Sequence, residues 1–261
     1  MIIPASNITH IQYTQLGHDI WCVTAKVSES LACLNINSTL YASVRSLSSG
    51  PLCTDLTNLS DCKWYYVSLQ KPTSRRSMAR RQREQQRQGV RHLLQNLLKK
   101  LDIEDTLDES SFPYRLINSK YYVCFSHTGA HDKNHSNINK TSSSQIALVI
   151  SRHRPAGIDI EHNNVAWHVA QRFYSDNEIA VLQTLPTNKC DSMAKLLWQI
   201  KESFIKVHQY TLAQGLGMDY SELLPDLIDG MEEDTSTNET RIIHSIYQIT
   251  ILKSQQTVIV F

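Results

Sequence analysis

No stretch of this 261-residue chain approaches the ~18 consecutive apolar residues that cross a bilayer. The start, MIIPASNITH, lacks the basic-then-apolar order of a secretory leader, so a cytoplasmic protein is expected. C-x-x-C pairs are also missing. Cys22, Cys33, Cys53, Cys62, Cys124 and Cys190 are scattered, which argues against a zinc knuckle or a dense disulfide framework and leaves reduced core thiols. There is no internal repeat and no conspicuous linker.

What is present is ordinary for a globular protein: 41% hydrophobic and 20% charged residues, in a length that suits one large domain or two closely packed halves. The net charge of +1 hides a polar split. From Lys71 to Arg91 eight Lys or Arg face the single acid Glu84, giving +7 against −6 for the remainder. A local anion site follows, rather than a uniformly basic protein.

Short alternating stretches, DIWCVTAKV and KWYYVSL, predict strands in the first seventy residues. Arg75 to Leu101 lacks Pro and is rich in Arg, Gln and Leu, which predicts one long helix even with Gly89 inside it. YYVCF (121–125) reads as a buried strand, 129–144 as an exposed loop, and QIALVIS as the next strand. Two helices follow, one opened by Ser175 with Glu178 as a capping box, the other starting near Asp191. RIIHSIYQITILK and TVIVF read as a terminal strand pair.

Three constellations can carry chemistry. On the last helix Met193, Leu196, Leu197, Ile200, Phe204 and Val207 share a core face, which leaves Trp198, Glu202 and Lys206 on the opposite one. A solvated Glu–Lys pair, worth ~0.3–0.5 kcal/mol, is the ordinary reading of such a face. The indole points instead to a face packed against something. In RPAGIDIEHN, strand alternation sends Ile158 and Ile160 to the core and Asp159 and Glu161 to the other side, a wet acidic face or a pair of hard oxygen ligands suited to Mg²⁺. Arg76, Arg80, Arg83, Arg87 and Arg91 form a stripe, the kind that grips phosphates or a nucleic acid. FSHTG then ends a strand with Ser126 and His127 as phosphate donors. A nucleic-acid-binding protein without enzymatic activity is the rival reading, but no aromatic residue interleaves the basic ones between Arg75 and Arg91.

Taken in order, S-H-T-G (126–129), G-I-D-I-E (157–161), R-F-Y-S (172–175) and W-Q-I-K-E-S-F-I-K (198–206), preceded by the Arg helix, resemble the 4'-phosphopantetheinyl transferases of the Sfp/EntD type. The resemblance spans about residues 80 to 217. The family has a Glu and a Gly where this chain has Gln86 and Val90. The resemblance implies an α+β fold of two pseudo-symmetric halves, each a small antiparallel sheet packed with a long helix, with a ligand cleft between them. Those halves would be residues 1–153, with the Arg helix and the S-H-T-G strand end, and 154–261, with the G-I-D-I-E strand and the W-x-x-K-E-S-x-x-K helix. It implies transfer of 4'-phosphopantetheine from coenzyme A to a serine of an apo acyl or peptidyl carrier protein. Mg²⁺ would be held directly by Asp159 and Glu202 and directly or through water by Glu161, and catalysis would rest on Glu202, Asp159 and Lys206, with Glu202 or a Mg-bound water oriented by Glu161 as the base. Coenzyme A would be bound by Arg83, Arg91, Ser126, His127 and Lys206, with Lys201 a weaker phosphate ligand. A monomer with no nucleic-acid or membrane partner goes with that reading.

Overall fold

Alternation builds the first sheet. The computed structural model describes residues 7–28, 75–128, 143–232 and 238–261. β1 (Asn7–Gly17) and β2 (Ile20–Ser28) form an antiparallel hairpin, and α1 (Arg75–Lys100) follows. The short β3 (Leu107–Asp108) and β4 (Tyr114–Leu116) precede β5 (Tyr122–Thr128) and β6 (Ser143–Ser151). All six strands pair antiparallel in the order β1-β2-β6-β5-β4-β3. Val23, Ala25 and Val27 of β2 and Ile146, Leu148 and Ile150 of β6 share one face at period two. There α1 lays Val90, Leu93, Leu94, Leu97 and Leu98.

The other face is lined by the smaller Cys22, Cys124, Ala147 and Val149, which pack against Ile158, Ile160, Leu252 and Ile259. These four belong to a second sheet that starts with β7 (Gly157–Ile160). After β7 come α2 (Trp167–Phe173), α3 (Asp176–Gln183), α4 (Thr187–His208), α5 (Leu212–Leu216) and α6 (Leu224–Glu232). β8 (Glu239–His244), β9 (Tyr247–Leu252) and β10 (Thr257–Val260) then join β7 in the antiparallel order β7-β10-β9-β8. Ile249, Val258 and Val260 meet Met193, Leu197, Ile200 and Phe204 of α4 on the remaining face. The layers therefore run α1, six strands, four strands, α4, an α+β fold in which each antiparallel sheet is backed by a long helix. The sheets differ in strand number and order, so internal pseudo-symmetry is not shown.

Several boundaries differ from expectation. Ser175 caps α3 with Glu178 in a reciprocal capping box, as its spacing predicts. α4 starts at Thr187 instead of near Asp191, because its first turn is polar and gives no apolar period. The terminal strand pair is three strands, since Ser245, with φ 56°, turns β8 back into β9. α2, α5 and α6 were not anticipated. The KWYYVSL strand, most of the 129–144 loop, and Cys33, Cys53 and Cys62 lie outside the described residues, while Ser143 and Ser144 belong to β6. Cys22 and Cys124 are free and buried, and Cys190 is free. Among the described residues no helix is long and apolar enough to cross a membrane.

Candidate active site

β7 is an edge strand of its sheet, and α4 crosses it so closely that a Cβ on Gly157 would stand 1.9 Å from the Ser203 carbonyl oxygen. That approach brings Glu202 and Lys206 of α4 to Asp159, which is only 4% exposed. The expected wet face of β7 is thus covered: all four of its residues are buried, between the first sheet and α4. The Lys206 ammonium lies 3.2 Å from Asp159 Oδ1 and also donates to the Ile158 carbonyl. From β5, the Ser126 hydroxyl donates to Asp159 Oδ1 at 2.9 Å and accepts from the Ile160 amide at 3.3 Å.

Glu202 stands with this group. Its Oε1 accepts from Trp198 Nε1 at 2.9 Å, and its carboxyl is a hydrogen-bonding neighbour of Asp159. Burial, and then the Asp159 charge, push the Glu202 carboxyl up to about 7, against the opposing pull of Lys206 and Trp198. Burial alone would depress the Lys206 ammonium, yet Asp159, Cys124 and Glu202 outweigh it and raise its affinity for the proton. The Trp198 ring packs edge to face on Phe173 of α2, which accounts for an indole on the side of α4 opposite its core stripe.

The basic side is assembled from β5 and α1. His127 is exposed, and its basicity is lowered first by the protein around it and then by the charges of Lys206 and Arg87. Arg80, Arg83, Glu84 and Arg87 line an open depression of about 370 Å³ on α1. Arg91, expected at a phosphate, instead grips the Glu109 carboxylate through Nε at 2.7 Å and Nη2 at 2.5 Å, and donates to the Arg87 carbonyl. Arg87, one turn earlier on the same stripe, is the arginine that acts on His127. Gln86 and Val90 serve packing: Val90 is core, and buried Gln86 donates to Ser144 Oγ at 3.1 Å and to the Thr128 carbonyl at 3.4 Å.

Two further expectations are corrected. Lys201 is 0% exposed and pairs with buried Glu178 at 2.9 Å, while its ammonium also donates to the Leu216 and Met218 carbonyls. Those partners consume its donors, so it braces α4 against α3 and the turn after α5 and reaches no phosphate. Glu161 accepts from Thr128 Oγ1 at 3.0 Å and from the backbone amides of His162 and Asn163. Among the described residues no three His, Cys, Asp or Glu side chains stand close enough to hold a metal ion, so Glu161 is not brought together with Asp159 and Glu202. The remaining pair still fits Mg²⁺, which commonly takes one or two carboxylates and fills its shell with water and substrate phosphate oxygens. The Asp159 charge, which with burial raises the Glu202 carboxyl even against Lys206, agrees with that fit. Sequence reasoning missed Thr128, and chose Arg91 over Arg87 within a stripe whose period could not rank them.

No protein-family model matches the chain, and no curated protein matches it.

Proposed function

We propose that this chain is a 4'-phosphopantetheinyl transferase that moves the phosphopantetheine of coenzyme A to a serine of an apo acyl or peptidyl carrier protein. The observation that carries the reading is the convergence of Asp159 of β7, Glu202 and Lys206 of α4, and Ser126 of β5, from three separate elements. The order of motifs along the chain supports it as well. A cytoplasmic site of action and a monomeric enzyme belong to the same reading.

In this mechanism Arg83, Arg87 and His127 hold the outer phosphate oxygens of coenzyme A, where guanidinium forks suit phosphate geometry. Lys206, positioned by Asp159 and the Ile158 carbonyl, neutralises the pyrophosphate. Mg²⁺, held by Asp159 and Glu202, would supply charge neutralisation at the same oxygens. The carrier serine oxygen bonds to the β-phosphorus, the bond from that phosphorus to the 3',5'-ADP oxygen breaks, and the serine proton passes to a base. Glu202, oriented by Trp198, is the carboxylate placed to accept that proton. Ser126 fixes the rotamer of Asp159, and so the reach of the whole group.

The test mixes the protein with coenzyme A, Mg²⁺ and a panel of apo carrier proteins and reads intact masses. A carrier that gains one phosphopantetheine on its serine supports the reading. A panel left entirely apo, with the protein folded, overturns it.

A further inference from the structure

The basic end of α1 has little apolar surface with which to hold the sheet. From Arg75 to Gln88 the sequence offers only Met78 and Ala79, and Ala79 is exposed. Among the described residues of α1, those in the core, Val90, Leu93, Leu94, Leu97 and Leu98, all come after Gly89. At Gly89 the helix lies down on the sheet, since a Cβ there would stand 2.9 Å from Val27 Cγ2 and 3.2 Å from Ile146 Cδ1. Close before it Gln86 is 3% exposed, and its Nε2 donates to Ser144 Oγ of β6 at 3.1 Å and to the Thr128 carbonyl of β5 at 3.4 Å. Gln82, one turn further out, donates to the same Ser144 Oγ at 3.1 Å. Ser144 and Thr128 are themselves buried, so these bonds stand where an apolar contact would otherwise fix the helix. Thr128 carries the tie onward, because its hydroxyl donates to Glu161 Oε1 at 3.0 Å, just past the end of β7.

We propose that Gln86 is a positioning residue for coenzyme A: through Ser144 and Thr128 it holds the basic end of α1 where the exposed Arg83 and Arg87 meet the outer phosphates, without itself touching the ligand. The role rests on the transferase reading. It separates two kinds of effect, since Arg83 and Arg87 ride on α1 while Asp159, Glu202 and Lys206 ride on β7 and α4. Loss of the tie should therefore weaken binding and spare the chemical step. The residue type follows from the partners. A carbonyl such as that of Thr128 accepts and cannot donate, so an ionised Glu, the residue of the resembled family, would face it with no proton to give.

The experiment compares the full wild-type chain with Gln86→Leu, which nearly keeps the volume and drops the donors, and with Ser144→Ala, which removes the shared acceptor. Coenzyme A affinity is read by calorimetry, KM and kcat by transfer to an apo carrier protein, and the helix itself by amide hydrogen exchange without ligand. In each variant Kd and KM for coenzyme A should rise about tenfold with kcat within about twofold of wild type. Exchange from Gln82 to Gln88 should quicken about tenfold while Leu93 to Leu98 stay protected. The double variant should show less than the product of the two effects, because they remove one bond in common. Unchanged affinity or unchanged exchange in folded Gln86→Leu, or a fall in kcat as large as the rise in KM, overturns the proposal and leaves the transferase reading standing. Wild-type protein that binds no coenzyme A overturns that reading and this role together. Ser144→Ala decides the matter should Gln86→Leu not fold.

Discussion

Asp159 and Glu202 are both acids of one site, yet removing them should have opposite effects on the fold. Asp159→Ala strands the Lys206 ammonium and the Ser126 hydroxyl, and is expected to cost about 1–3 kcal/mol in chemical denaturation as well as most of the transfer activity. Glu202→Gln removes a carboxyl that the fold already disfavours as an anion. It should unfold no earlier than wild type in EDTA, while transfer falls ~100-fold or more. The sign follows from linkage. The folded carboxyl binds its proton up to about pH 7 and the unfolded one only to the ordinary range near 4.5, so its stabilising effect is complete below that lower value and is lost as pH rises through 7. In EDTA, stability should therefore fall by about 1–3 kcal/mol from pH 5 to pH 8 in wild type, and by visibly less in Glu202→Gln. Lys201 belongs to the fold. Lys201→Met should cost about 3–5 kcal/mol by leaving Glu178 buried and unpaired, and the double variant with Glu178→Leu should recover much of that loss.

On α1 the arginines divide by partner. Arg87→Ala and Arg83→Ala should raise KM for coenzyme A about tenfold with a smaller effect on kcat, whereas Arg91→Ala should leave KM unchanged because Glu109 already holds that side chain. Tight, steeply salt-dependent DNA binding by wild type would count for the nucleic-acid reading of this helix instead. α4 and β7 form a second mechanical unit, joined where Gly157 lets the Ser203 backbone approach. Gly157→Ala forces them apart, and a displacement near 1 Å between Asp159 and Glu202 is enough to cost ~100-fold in transfer rate. Much of this scale is legible in the chain itself. The period of α4 separates Phe204 from Glu202, and the Ser175 to Glu178 spacing marks a helix start. The amphipathic Leu224, Leu227 and Ile228 of α6 carry a comparable signal.

At the scale of the whole molecule, the site lies at the seam between two stacked sheets, where the β5 end meets the open edge of β7. Periodicity along one strand cannot report this. Asp159 reads as a surface acid because its alternation with Ile158 and Ile160 is correct, while the second cover, α4, comes from some forty residues away. Lys201 is the same case, since its partner Glu178 sits on another helix and the sequence of α4 alone cannot show that pairing. Motif order was therefore sufficient to bring Asp159, Glu202 and Lys206 together on paper, and insufficient to sort the lysines and arginines around them, whose roles depend on which counter-charge lies nearest in space.

The central claim is that this seam transfers a phosphopantetheinyl group, and single-turnover transfer from coenzyme A to an apo carrier protein, followed by intact mass, tests it most directly. The account predicts that the wild-type protein with Mg²⁺ converts the carrier fully, that EDTA stops the reaction, and that folded Glu202→Gln is slower by ~100-fold or more. A carrier converted at equal rates by wild type and Glu202→Gln, or a carrier never converted by the folded wild-type protein, would contradict it.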